Sequence, residues 1–97
     1  MILEPGVSIQ VNIVSDREML QIGRKYKGKN YATDVLTFNY FNSEGYKKGD
    51  LYGEIYINID AAIRQAGELG HSVEEEVSLL LKHGMLHLQG VHHKGDP

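Results

Sequence analysis

Hydrophobic and polar residues alternate along residues 8–14, where isoleucine or valine occupies every second position. A period of two is typical of a β-strand with one buried face. Residues 34–40 are rich in β-branched and aromatic side chains, and residues 51–59 alternate again, with Ile55, Ile57 and Ile59 on one side. These segments predict three strands. The polar stretch between the last two predicts that they are antiparallel neighbours.

Helix signals occupy the segments between and after these strands. A serine followed three residues later by a glutamate, the spacing of a capping box, occurs at residues 15 and 72. Helices are therefore predicted from about residue 16 to residues 26–28, and from about residue 73 to residue 88. Between them, Asp60 is predicted to cap a short helix that Gly70 ends. The acidic run at residues 74–76 lies in a first helical turn, where the helix dipole favours negative charge.

The last predicted helix is apolar on most of its sides. A helix of this kind is buried at the centre of its domain. Together with the three strands, it predicts an α+β fold in which helices pack on a small mixed sheet. The chain of 97 residues has the length of one domain, so a single domain is predicted over residues 1–97.

Histidines cluster at the end of this helix. His83 and His87 are four positions apart, so they lie one above the other on the same helix face. Gly90 follows, where a left-handed residue can end the helix and turn the chain back. A third histidine can then reach the same point; the spacing selects His93, with His92 as its competitor. Three imidazoles with a fourth position open are typical of a catalytic zinc site.

Composition limits the kind of metal site that the chain can form and the cellular location that we expect for the protein. The chain has no cysteine, so histidines and carboxylates are its available metal ligands. The first residues lack the charged and apolar regions of a signal peptide, and no apolar run is long enough to cross a membrane. We therefore expect a cytoplasmic protein without membrane contact.

Charge is distributed unevenly along the chain. The net charge of -3 argues against a protein that coats nucleic acid in general. Four basic residues nevertheless crowd into residues 24–29, and such a patch can bind a polyanion in a salt-sensitive manner. Tyr26 and Tyr31 are interleaved with it. They can stack on RNA bases or pack in the core, and the sequence leaves both interpretations open.

Gly84 narrows the chemistry that the histidines can support. Zinc endopeptidases with the same histidine spacing carry a glutamate after the first histidine, and this glutamate is the general base. A peptidase built on this chain would lack that base. Cleavage of RNA does not need this general base. The 2′-hydroxyl of the RNA can attack the phosphate while a metal and nearby cations stabilise the developing charge.

Three collinear stretches resemble the YbeY family of metal-dependent endoribonucleases: residues 83–93 with the histidines, residues 26–38, which read YKGKNYATDVLTF, and residues 51–57, which read LYGEIYI. The resemblance extends from about residue 8 to residue 93. It implies a single-strand-specific endoribonuclease that acts on rRNA precursors in 16S rRNA 3′-end maturation. It also implies one zinc ion on His83, His87 and His93, with RNA and ribosomal proteins as partners.

The resemblance further implies a basic residue, needed for activity, across the cleft from the metal. Lys27 occupies this position, where the family usually has arginine, so the charge is kept and the bidentate contact with phosphate is lost. Asp34 is a second catalytic candidate, for orienting a water molecule or a ligand. Its alternative role is to bond local backbone where a strand begins.

Other functions stay open at this point. One is a ribosome- or RNA-associated module in which the metal is structural, and another is a metallohydrolase for a different substrate, including peptides. The family usually has Tyr-Asp where this chain has Val91 and His92, which removes a candidate hydrogen-bond partner for a metal ligand. Family members also extend further at both ends, so we expect uncovered apolar surface and self-association.

Overall fold

The computed structural model describes residues 7–90 of the chain. Within that part, the elements in order are β1 (Ser8–Val14), α1 (Asp16–Tyr26), β2 (Val35–Asn39), β3 (Leu51–Asn58), α2 (Ile59–Leu69) and α3 (Val73–Leu88). The strand order in the sheet is β1-β3-β2, with β1 parallel and β2 antiparallel to β3. The predicted α+β fold with a mixed sheet is confirmed, and so is the antiparallel pairing of the last two strands.

The two faces of the sheet carry different cores. On one face, Ile55 and Ile57 are fully buried in a cluster that includes Leu88 of α3. On the other face, Leu36 is buried with Met19 of α1. Successive residues of a strand point to opposite faces, which is why neighbouring residues of β2 and β3 belong to different clusters. We call these two sides the α3 face and the α1 face.

Helix α3 lies unusually close to the sheet at two glycines. A Cβ atom on Gly84 would lie 2.8 Å from Cγ2 of Ile55, and a Cβ atom on Gly53 would lie 2.8 Å from Cδ2 of Leu88. Real side chains essentially never approach so closely. The absence of both Cβ atoms therefore lets α3 rest directly on β3.

The helix starts agree with two of the three predictions. Capping boxes are present at Ser15 and Ser72, with the serine and glutamate side chains both bonded as expected. The prediction that Asp60 caps α2 is wrong. Asn58 is the cap, because its side chain accepts from the amide of Ala61. Asp60 lies in the first helical turn, where its carboxylate accepts from the amide of Asp16 at 2.9 Å.

Strand β1 buries less of its apolar side than its alternation predicts. Val11 and Ile13 point to the same side as Ile55 and Ile57 of the neighbouring strand, yet they are 43% and 53% exposed. The reason is position: β1 is an edge strand, and α3 packs mainly on β2 and β3. This leaves an apolar strip at one side of the domain.

One residue of the acidic run at the start of α3 makes a buried contact that the helix dipole does not explain. Glu74, Glu75 and Glu76 lie in the first turn as expected. Glu76, however, is buried, and its Oε1 lies 2.7 Å from Nε2 of His71. A buried carboxylate needs a partner of this kind, because an unpaired one would carry a large desolvation cost.

Candidate functional site

The last two turns of α3 bring two of the predicted metal ligands together. The ring centroids of His83 and His87 are 4.4 Å apart, with the ring planes at 73°. His87 is buried, whereas His83 is partly exposed. The helix ends at Leu88, and Gly90 has a φ of 85°, in the left-handed region that was predicted to turn the chain. The pair and the turn after it therefore have the expected local geometry.

The two predicted ligands among the described residues are imidazoles, a donor type that suits a zinc ion. Two imidazoles at this separation are close enough for one ion to contact a nitrogen of each ring. Between residues 7 and 90, no group of three or more histidine, aspartate, glutamate or cysteine side chains is placed to hold a metal. His93 and its competitor His92 lie outside the described residues. The three-histidine centre on His83, His87 and His93 thus stays a prediction.

Packing explains the glycine between the two histidines. Position 84 faces the sheet, where a Cβ atom would lie 2.8 Å from Ile55 and 3.3 Å from Val35. A glutamate there would be driven into the apolar core between α3 and the sheet. The peptidase interpretation therefore lacks both the catalytic base and the space for one.

Lys27, the basic residue that the family resemblance singles out, lies at the end of α1 as its C-cap. Its ammonium is 4.9 Å from the centroid of Phe38, a residue that packs in the cluster of the α1 face. Partial burial lowers the pKa of Lys27, and the charge of Lys29 lowers it further. The structure therefore places the Lys27 ammonium beside Phe38 on the α1 face, and the catalytic role of Lys27 stays a prediction.

Asp34 is occupied by structural contacts. Its Oδ2 accepts a hydrogen bond from Nε2 of Gln65 in α2 at 3.2 Å, and its carbonyl oxygen accepts from the amide of Asn58 at 2.9 Å. These contacts tie the start of β2 to α2 and to the end of β3. They favour the structural alternative for Asp34, while its catalytic role stays a prediction.

The α1 face contains a polar group that sequence reasoning missed. Glu54 accepts from the hydroxyl of Tyr40 at 2.6 Å, from the hydroxyl of Tyr56 at 3.2 Å and from Nδ2 of Asn12 at 3.1 Å. The hydrogen bond to Glu54 raises the pKa of Tyr40 to about 12, with burial as the next cause. Alternation along β3 placed Glu54 and Tyr56 on one side. The alternation does not indicate that Tyr40, from another segment, forms a hydrogen bond with Glu54.

A cavity of about 270 Å³ opens beside this carboxylate, lined by Tyr26, Phe38, Tyr40, Glu54 and Tyr56. Its aromatic wall is made by edge-to-face contacts, with the ring centroid of Phe38 5.7 Å from that of Tyr26 and 5.6 Å from that of Tyr56. The cavity therefore combines an apolar wall with one anionic group.

The basic segment lies next to this cavity. The ammonium of Lys25 is 5.1 Å from the ring centroid of Tyr26, and that of Lys29 is 5.4 Å from the ring centroid of Tyr31. Tyr26 and Tyr31 are 60% and 55% exposed, so neither is a core residue. Of the two interpretations open for these tyrosines, the structure excludes core packing and leaves them available to a ligand.

Between residues 7 and 90, no helix combines the length and the apolar character that crossing a membrane requires.

Comparison with known proteins places these features in a family. A family model described as endoribonuclease YbeY matches residues 1–97. The chain is 37% identical over 93 residues to endoribonuclease YbeY of Alkaliphilus metalliredigens, covering 93% of this chain and 60% of that protein. It is 42% identical over 89 residues to endoribonuclease YbeY of Aquifex aeolicus, covering 92% of this chain and 58% of that protein.

The fold is similar to the solution structure of TM1509 from Thermotoga maritima, with a TM-score of 0.62 and 32% identity, covering 93% of this chain and 56% of that one. The chain thus spans about three fifths of the length of the curated relatives cited above. Because the family model matches from the first residue to the last, the chain belongs to the YbeY endoribonuclease family.

Proposed function

We propose that this protein is a zinc-dependent, single-strand-specific endoribonuclease that acts on rRNA precursors in 16S rRNA 3′-end maturation. The observation that carries the proposal is the histidine pair, with ring centroids 4.4 Å apart, immediately before the left-handed turn at Gly90. Family membership supports the choice of RNA as substrate.

His83, His87 and His93 are the residues that would hold the ion. When bound, it would act as a Lewis acid toward the scissile phosphate. Burial of His87 restricts the movement of its ring. Gly84 keeps α3 seated on Ile55 and so holds the pair at a fixed height above the sheet. The chain's own contribution is thus a rigid pair of ligands at the end of a packed helix.

The lack of a base at position 84 favours attack by the substrate itself. In that reaction the 2′-oxygen of RNA forms a bond to the adjacent phosphorus, the bond from phosphorus to the 5′-oxygen breaks, and the proton of the 2′-hydroxyl is transferred to solvent while the 5′-oxygen gains one. The negative charge that develops on the oxygens bonded to phosphorus is stabilised electrostatically, and this stabilisation does not require a carboxylate base. A substrate with a 2′-deoxy sugar at the cleavage position should therefore resist cleavage.

A second function is favoured by the position of Lys27. Its ammonium lies on the α1 face against Phe38, on the side of the sheet opposite α3. This arrangement fits an RNA- or ribosome-associated module, in which Lys27 binds a phosphate and the metal only holds the segment after Gly90. A metallohydrolase acting on peptides is the least supported function, because position 84 has no room for a base.

Cleavage of a single-stranded rRNA precursor by untagged protein separates these functions, measured for wild type, His87→Ala and His71→Gln with and without a chelator. His71→Gln is the control, since glutamine can still donate to the buried Glu76. The proposal predicts cleavage that chelation or His87→Ala abolishes and His71→Gln preserves. RNA binding without cleavage by the wild-type protein would favour the second function.

The remaining expectations are part of the same proposal. We propose ribosomal proteins as further partners, the cytoplasm as the location, and self-association of the chain. Support for self-association comes from Val11 and Ile13, which are 43% and 53% exposed on an edge strand. A monomer in sedimentation at working concentration would contradict it.

A further inference from the structure

We propose that the cavity on the α1 face is a nucleobase subsite for single-stranded RNA, and that it prefers a base with an exocyclic amino group. The inference rests on the proposed function, because it assigns part of the RNA path on the same protein. The cavity is separate from the histidine pair, since it opens on the α1 face of the sheet and α3 packs on the other.

The size and walls of the cavity suit one flat ring. At about 270 Å³ it lies just below the roughly 300–1,000 Å³ that is usual for ligand pockets, as expected for a site that takes a single base. Phe38 and Tyr56 form its wall through an edge-to-face contact, and Tyr26 closes one side while remaining 60% exposed. Aromatic side chains in this arrangement stack on bases of single-stranded nucleic acid.

Glu54 provides the polar group that would read the base. A carboxylate has about four acceptor positions, and three donors from the described residues reach this one. Oε2 receives Asn12 and Tyr56, whereas Oε1 receives Tyr40 alone. One acceptor position on Oε1 is therefore left for a ligand. An amino group such as N4 of cytosine can donate to it, whereas the O4 atom of uracil would be repelled.

The tyrosine hydroxyls act as donors to Glu54 and leave its remaining acceptor position open to a ligand. Hydrogen bonding to Glu54 raises the pKa of Tyr40 to about 12. Burial, followed by the charge of Glu54, raises the pKa of Tyr56. Both hydroxyls thus stay protonated at neutral pH and donate to Glu54. The position that remains on Oε1 can only accept a hydrogen bond.

The charges around the cavity favour RNA over a basic peptide, which is the other ligand that an aromatic pocket with a carboxylate could take. Lys27 lies over Phe38, a wall residue, and Lys25 lies over Tyr26 at the rim. Lys29 continues the row beside Tyr31. These ammonium groups repel a lysine- or arginine-rich segment, whereas they attract the phosphates on either side of a bound base.

The test is binding of labelled oligocytidylate and oligouridylate of equal length, measured by fluorescence anisotropy at low salt with a chelator present. The two bases have nearly the same shape and differ at two adjacent ring positions: cytosine has an amino donor at C4 and an acceptor at N3, whereas uracil has an acceptor oxygen at C4 and an N3–H. Wild type should bind oligocytidylate more tightly, by about tenfold, as expected for a hydrogen bond to a charged acceptor. Glu54→Gln should remove the preference, because an amide can donate as well as accept. Glu68→Gln, an exposed change on α2, should leave it intact.

Tyr26→Ala is the second variant and keeps the test decisive if Glu54→Gln fails to fold. Its side chain is mostly exposed, and its loss should weaken binding of both oligomers about tenfold, the scale of one stacked base. Tyr46→Ala, outside the basic segment, is the matched control and should change neither affinity.

Equal affinity of wild type for the two oligomers, a preference that survives in Glu54→Gln, or unchanged binding in Tyr26→Ala would overturn the subsite. So would displacement of RNA by an arginine-rich peptide that binds more tightly than RNA does. Because the chelator prevents metal-dependent cleavage, the outcome is independent of the nuclease activity. A protein that cleaves RNA without the cytosine preference would retain the proposed function and lose only the subsite.

Discussion

The two faces of the sheet are covered in different ways. On the α3 face, apolar side chains fill the interface, and the helix approaches so closely that a methyl group at Gly84 would clash with Ile55. On the α1 face, the carboxylate of Glu54 and the hydroxyls of Tyr40 and Tyr56 lie beside an open cavity. The comparison teaches that tight packing positions the histidine pair, whereas the opposite face keeps polar groups next to solvent.

The largest effect should come from filling the close contact on the α3 face. Gly84→Ala should lower the free energy of unfolding by about 1–3 kcal/mol, because the added Cβ overpacks the interface with Ile55. Gly67→Ala is the matched control in α2, where a Cβ would meet nothing within 4 Å. It should stabilise by up to about 1 kcal/mol, since alanine favours a helix. Urea unfolding measures both. Equal effects of the two changes would show that α3 is not pressed against the sheet.

A smaller effect is expected from the polar group on the α1 face. Tyr40→Phe removes the 2.6 Å hydrogen bond to the partly buried Glu54 and should cost about 1–2 kcal/mol. Tyr46→Phe provides the comparison, because the Tyr46 hydroxyl makes an exposed and long contact of 3.4 Å with the carbonyl oxygen of Asp50. That change should alter the unfolding free energy by less than about 0.5 kcal/mol. If both variants are as stable as wild type, the hydroxyl of Tyr40 does not hold Glu54 in place.

The smallest predicted effect concerns acid sensitivity where α1 meets α2. Hydrogen bonds from Arg64 and then Asn58 lower the pKa of Asp16 from 3.8 to about 2. A carboxyl with a lowered pKa in the folded state stabilises it above about pH 3.8, and this contribution is lost as the pH falls toward 2. Asp16→Asn should therefore flatten the loss of stability over this interval in acid unfolding monitored by circular dichroism. A curve as steep as that of wild type would exclude Asp16 as a source of the acid dependence.

Local patterns allowed much of the fold to be predicted. The capping boxes at Ser15 and Ser72, the spacing of the histidine pair and the left-handed Gly90 all depend on residues close in sequence. The prediction of the α2 cap was wrong because Asn58 and Asp60 are both good capping residues. The choice between them depended on where β3 ends, which alternation along the strand does not show.

Features that join distant segments could not be predicted in this way. A glycine is needed at position 84 because α3 lies close to Ile55, which belongs to a different element. The group around Glu54 joins β1, β3 and the residue after β2 through Asn12, Tyr56 and Tyr40. The placement of Lys27 against Phe38 likewise depends on how the end of α1 meets the sheet. Tertiary contacts of this kind leave no periodic signal in the sequence.

The central claim is that His83, His87 and His93 hold one zinc ion, and zinc stoichiometry of untagged protein tests it most directly. The measurement compares wild type with His93→Ala and His92→Ala, two changes at adjacent positions. We predict about one zinc ion per chain in wild type and in His92→Ala, consistent with the ligand number of catalytic zinc sites, and loss of zinc in His93→Ala. Wild-type protein without bound metal, or zinc that survives His93→Ala and is lost in His92→Ala, would contradict the claim.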